Sequence, residues 1–224
     1  MQYEVLAKAE PLNRKGERLL LLPDFFNKEK IMNNEKIAEF ERLFSEIKRE
    51  GADKLLEFVR KSDFFTAPAS TKYHGAVEGG LLEHSLNVVN VLLKKAETDS
   101  LWKEKLSGVS RESLVLCGLL HDLCKTYFYK TEMRNKKDES HGWIQVPFYI
   151  VDDQVPYGHG EKSVMMIEEY IKLQPVERYA IRWHMGPYSG QQDWNTLGTA
   201  MERYPLVLAL FEADMEASHI CESE

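Results

Sequence analysis

The stretch Ser110-Arg-Glu-Ser-Leu-Val-Leu-Cys-Gly-Leu-Leu-His-Asp-Leu-Cys-Lys125 decides how this chain is read. Leu114, Cys117 and His121 recur at i, i+3 and i+7, so one face of a helix over residues 110–121 is apolar and ends in an imidazole. Asp122 follows directly. Neighbours on a helix point about 100° apart, so both side chains reach a common point only at a helix end or on a concave face. Lys125 lies three and four residues further on and returns to the same side.

The same pattern recurs elsewhere. Leu81, Val88 and Val91 form an inward stripe with His84 and Ser85 on or beside it. Val207, Leu210, Phe211 and Asp214 put a carboxylate where a fourth apolar residue belongs. Val176, Ala180 and Trp183 lead to His184 at another helix end. A buried polar group without a partner costs several kcal/mol. A single histidine on such a face is usually a hydrogen-bonded core residue, and Asp214 alone could cap a helix or pair with arginine. Several helices turning imidazole and carboxylate inward together are satisfied at once by a metal cluster. A donor set of this kind, without thiolates, suits Mn, Fe, Ni, Zn or Mg.

Outward from these stripes the chain reads as helical. Ile37, Phe40, Leu43, Phe44 and Ile47 predict one helix, and Leu55, Leu56 and Val59 a second that Asp53 caps. Further helices are expected over residues 81–95, 161–173, 175–184 and 205–218, with Pro175 and Pro205 in first turns. Residues 66–80 read as an ordered loop, and residues 190–195 as a polar loop at the mouth of the site. Residues 126–155 break the rhythm: aromatic and β-branched residues flank a polar turn from Arg134 to Ser140, which predicts a β-hairpin. The expected architecture is all-α, a helical bundle with a small inserted hairpin over residues 34–224. Before it stands an N-terminal extension, residues 1–33, with turns at Pro11 and Pro23 and a short strand or arm over 18–22.

Composition narrows the function. The 224 residues carry a net charge of −7 spread over mixed segments, which disfavours a broad nucleic-acid-coating surface. Three cysteines have neither disulfide-framework numbers nor zinc-ribbon spacing. Met1-Gln2-Tyr3-Glu4 lacks a signal-peptide pattern, and the longest apolar runs are too short for a bilayer. The expectation is a reduced, cytoplasmic protein with no membrane partner; the oligomeric state is left open.

Gly-Gly-Leu-Leu-Glu-His84, Leu-Leu-His121-Asp122-Leu-Cys-Lys125 and Ala213-Asp214 together resemble the signature blocks of the HD superfamily of metal-dependent phosphohydrolases, over roughly residues 65–219. Tyr157-Gly-His159-Gly-Glu161 and Ile181-Arg-Trp-His184-Met-Gly186 resemble further blocks of its dinuclear phosphodiesterases. Ala67-Pro-Ala-Ser and Tyr73-His74-Gly-Ala resemble the lead-in of HD-domain 3′–5′ exoribonucleases, without their OB-type domain. The resemblance implies two divalent ions: His84, His121, Asp122 and Asp214 on one, His159 and His184 on the other, with Asp122 bridging. With two metals clamping a phosphoryl group, Asp122 and Lys125 are expected as the catalytic pair and Lys125, Arg182 and His74 as substrate contacts, a surface side chain being the preferred reading of His74. Cys124 stands where the common HD-x-Gly-Lys block has glycine, Met185 departs from His-His-Gly, and no Gly-Tyr-Pro block follows. The expected activity is hydrolysis of a phosphomonoester or phosphodiester in a nucleotide or nucleic-acid end. A mononuclear HD nucleotidase and a non-catalytic nucleotide-binding regulator are the alternatives. The hairpin aromatics either pack on the bundle or stack on a base, packing being the preferred reading.

Overall fold

The computed structural model describes residues 23–72, 75–138 and 142–222. The chain divides into two units, residues 1–35 and 36–224. The arm expected over residues 18–22 lies outside the described residues, as does His74. Nine helices and one hairpin are described: α1 (Pro23–Phe44), α2 (Ala52–Lys61), α3 (Gly80–Thr98), α4 (Ser100–Lys105), α5 (Arg111–Leu120), β1 (Tyr129–Asp138), β2 (Gly142–Val151), α6 (His159–Glu168), α7 (Pro175–Trp183), α8 (Trp194–Arg203) and α9 (Pro205–Glu216). A 3₁₀ turn, Leu123–Lys125, follows α5, and a π turn, Ala217–Cys221, follows α9. The class is all-α with a two-stranded antiparallel insertion, as expected.

Three local readings are corrected. Pro23 opens α1 instead of a turn, a place proline tolerates because its missing N–H would be unsatisfied there anyway. The N-cap of α2 is Gly51, in the left-handed region at φ 88°, and Asp53 sits inside the first turn. Residues 190–195 are not one loop: a 3₁₀ turn, Gln191–Asp193, leads into α8. The signal of α8 is weak because Trp194, Asn195, Thr196, Gly198 and Thr199 are indifferent or poor helix formers. Tertiary burial decides instead, with Leu197 and Ala200 packing against Trp183 and Val207.

The core of the second unit lies where α3 meets α5 and α9, and where α7 meets α9, α6 and α5. Two glycines set the closest approaches. A Cβ on Gly118 of α5 would stand 2.6 Å from the Cα of Val89 on α3, and one on Gly160 of α6 would stand 2.3 Å from the carbonyl oxygen of Arg182 on α7. Gly118 comes three residues before His121, and Gly160 directly follows His159. Both close crossings therefore bring pairs of inward histidines together. Gly118→Ala gains helix propensity, about 1 kcal/mol, but must push backbone aside. A net loss of about 1–3 kcal/mol is expected from overpacking, read as a lower urea midpoint.

A buried ion pair ties the segment between α1 and α2 to α7. Glu177 is fully buried, and Arg49 reaches both its oxygens, at 2.6 and 2.5 Å. The same carboxylate accepts the backbone N–H of Gln174, closing a capping box. Burial pushes the Glu177 carboxyl up, but the hydrogen bonds from Arg49 outweigh it and hold it below its ordinary value. A depressed folded-state value means the stabilisation is present above the unfolded carboxyl's titration, near pH 4.3, and disappears as pH falls through the folded one. Glu177→Ala leaves Arg49 with Glu112 at 3.4 Å and the carbonyl of Lys172, and is expected to cost up to about 3 kcal/mol. The difference from wild type should shrink in denaturation curves taken progressively below pH 4.

The hairpin runs in register from Tyr129 opposite Val151 to Asp138 opposite Gly142. Its base packs on the bundle: the Tyr129 hydroxyl donates to the carbonyl of Ala69 at 3.1 Å, and Lys162 lies over the Phe128 ring. Further out, Phe148 and Tyr149 are half-buried and Trp143 faces solvent. Trp143 is 73% exposed, and Phe148 is covered by the Arg134 guanidinium at 4.0 Å. The packing reading thus holds for the base of the arm and fails at Trp143 near its tip.

Candidate metal centre

Helix α5 stops at Leu120, with His121 as its C-cap and Asp122 already outside helical geometry at φ −104°, ψ 21°. This break lets adjacent side chains face one point. The last carbonyls of a helix lack partners within it, and His121 uses one: its Nδ1–H donates to Gly118 O at 3.0 Å. His184, the C-cap of α7, repeats the device with Ile181 O at 2.6 Å. A carbonyl only accepts, so Nδ1 carries the proton in both rings and Nε2 is turned inward. The Nε2 of His184 is buried with no hydrogen-bond partner among the described residues.

The remaining groups converge from α3, α6 and α9. His84 Nε2 lies 3.3 Å from His121 Nε2, 3.2 Å from Asp214 Oδ1 and 3.6 Å from Asp122 Oδ2. Asp122 Oδ1 lies 2.8 Å from His159 Nε2 and 3.3 Å from His184 Nε2. Lys125 Nζ closes on Asp122 Oδ2 at 2.6 Å, and the Ser218 hydroxyl donates to Asp214. His84, His121, Asp122, His184 and Asp214 are all buried, while His159 is half-buried at the pocket wall.

The electrostatics are those of a closely balanced cluster. Burial pushes the Asp122 carboxyl up, but Lys125 and His121 hold it well below the carboxylate range. Asp214 is likewise held low by His84 against its burial. Burial pulls His84 down, yet its bonds to Asp214 and Glu222 raise it to about 9. His159 rises to about 9 as well, against its burial, through Asp122 and Cys124. Lys125 is raised despite burial by the Asp122 carboxylate, so it stays a cation. Burial pushes the Tyr129 phenol up to about 12.

The donor set fits divalent metal. His84, His121 and Asp214 form one group, and His121, Asp122 and His184 another, with ligand atoms all within 4.8 Å of one another. Two buried carboxylates, three inward Nε2 atoms and an orphaned one among them describe oxygen and imidazole coordination. Asp122, Cys124 and His159 make a third group, with the Cys124 sulfur 3.3 Å from His159 Nδ1.

Over this centre opens a pocket of about 240 Å³, walled by Asp122, Lys125, Tyr129, His159, Met185 and Asp214. Residues 190–195 contribute nothing to its wall, so they do not form its mouth. Arg182 is elsewhere. Two residues before His184 on α7, it points away, pairs with Glu161 at 2.5 Å and stacks on Trp183. It lines a separate hollow of about 530 Å³ between α6 and α7. Sequence reasoning missed Ser218 and Glu222 as neighbours of the site and placed Tyr129 only among the hairpin aromatics. Cys124 was visible as a departure from glycine, but nothing in the spacing showed that its thiol meets His159.

The HD-domain family model matches residues 81–217, and the chain belongs to that family. The chain is also similar to the dihydroneopterin 2′,3′-cyclic phosphate phosphodiesterase of Methanocaldococcus jannaschii, 40% identical over 65 residues. That match covers 28% of this chain and 24% of the relative's length. No solved structure matches. Among the described residues, no helix is long and apolar enough to cross a membrane.

Proposed function

We propose that this protein is a metal-dependent phosphohydrolase with a dinuclear centre, cleaving a phosphodiester or phosphomonoester of a nucleotide or a nucleic-acid end. The observation that carries the dinuclear reading is the two-sided placement of Asp122. Its Oδ2 faces His84 and His121, and its Oδ1 faces His159 and His184. His84, His121 and Asp214 would hold one ion, His159 and His184 the other, and Asp122 both. When bound, two divalent ions supply Lewis-acid polarisation of a phosphoryl oxygen and acidify an attacking water.

The chain's own groups do the rest. Lys125 keeps its positive charge at the pocket wall and neutralises phosphate oxygens, an electrostatic role whose weight grows as water is excluded. Asp122 orients the nucleophile along the side facing the pocket. The Tyr129 phenol stays protonated at neutral pH, gives its one proton to the carbonyl of Ala69 and forms part of the pocket wall. The similar protein of Methanocaldococcus jannaschii bears the name of a cyclic phosphate phosphodiesterase, which supports a diester as the first substrate to try.

The test is a screen of purified protein, loaded with Mn, Mg, Ni or Fe, against 2′,3′-cyclic nucleotides, nucleoside monophosphates, cyclic dinucleotides and short oligonucleotides. Metal-dependent release of a phosphate or nucleoside product is expected with at least one. Metal-replete protein that binds nucleotides and hydrolyses none of them would oppose the enzymatic reading.

A further inference from the structure

Three of the inward histidines differ in what holds their outer nitrogen. His121 and His184 cap their helices and use carbonyls of their own last turn. His84 is the fifth residue of α3, where the preceding carbonyls are already committed to helix bonds. Its Nδ1 needs a partner from another part of the chain. That partner is Glu222, whose Oε1 lies 3.1 Å away.

Glu222 is itself fixed. Its Oε1 accepts from Asn87 Nδ2 at 3.0 Å, one turn along α3, and its side chain is 7% exposed. It arrives there because α9 does not simply run on. The π turn Ala217–Cys221 widens the helix after Asp214, re-aiming the chain so that the same segment delivers Asp214 to one edge of His84 and Glu222 to the other. Glu222 lies on the Nδ1 edge, away from the Nε2 that meets His121 and Asp214. It therefore acts through His84 and is not one of the donors that converge on the centre.

We propose that Glu222 is a positioning residue of the metal centre, its carboxylate setting the tautomer and rotation of His84 so that Nε2 faces the ion shared with His121 and Asp214. The inference rests on the metal-centre reading above. A carboxylate behind a ligating imidazole raises its basicity as well as fixing its plane, and removing such a partner typically weakens metal binding about 10–100-fold.

The experiment titrates metal-free wild type, E222Q and E222A with Co²⁺, following the visible absorption bands together with the melting midpoint of each metal-free protein. E222A is expected to bind Co²⁺ at the His84 side about 10–100-fold more weakly with altered bands. E222Q keeps an accepting oxygen but no charge and should fall between, with a metal-free midpoint like wild type. E222Q, close in shape to the native residue, decides the matter if E222A fails to fold. Wild-type affinity and bands in E222Q would overturn the inference. A loss in either variant that follows only a lowered metal-free midpoint would assign Glu222 to the fold and overturn it too. Wild type that takes up no Co²⁺ would sink the metal-centre reading itself, a distinguishable failure.

Discussion

Asp122→Ala is expected to lose phosphate-ester hydrolysis by more than about a thousandfold, beyond the cost of removing one transition-state donor, while remaining folded. Two effects combine. The first is geometric: Asp122 has an oxygen toward each histidine pair, so its removal opens both halves of the donor set. The second is electrostatic. Lys125 is held at the centre by Asp122 at 2.6 Å, and without that partner a half-buried ammonium is left among imidazoles. The fold should survive because the core around α3, α5 and α9 is apolar and independent of this carboxylate. Circular dichroism and a hydrolysis assay on the same preparation check both parts.

His159→Ala and His184→Ala should each reduce bound metal from about two ions per chain toward one, as expected when one half of a two-metal site is dismantled. The geometry makes the two variants unequal. His184 is fully buried with its Nε2 turned into the site, so alanine also leaves a cavity and frees the carbonyl of Ile181. His159 stands half-exposed at the pocket wall, and its loss should cost less stability. Metal content by elemental analysis, beside melting curves, separates the effects. Activity surviving both substitutions with one ion bound would favour a mononuclear nucleotidase using His84, His121, Asp122 and Asp214.

Much of this arrangement is readable in the residue order, for a physical reason. Buried His and Asp on otherwise apolar helical faces violate the binary pattern, and such violations stand out residue by residue. His84, His121, Asp122, His159, His184 and Asp214 all converge. Long periodic segments such as α3, α5 and α9 are equally plain. What stays hidden depends on tertiary placement. Arg182 has the right charge and sits two residues from His184, yet helix rotation sends it to a different hollow. Glu222 carries no local signal, since a wide turn after α9 is needed to bring it to His84. Helix α8, built of poor helix formers, forms because Leu197 and Ala200 find an apolar patch on Trp183 and Val207.

The most direct measurement of the central claim is metal content and phosphodiesterase activity on one preparation, before chelation, after it, and after Mn²⁺ is restored. The expected result is about two ions per chain, with hydrolysis lost on chelation and recovered as the metal returns. Hydrolysis that persists in fully metal-free protein, or a folded chain that takes up no divalent ion at neutral pH, would contradict it.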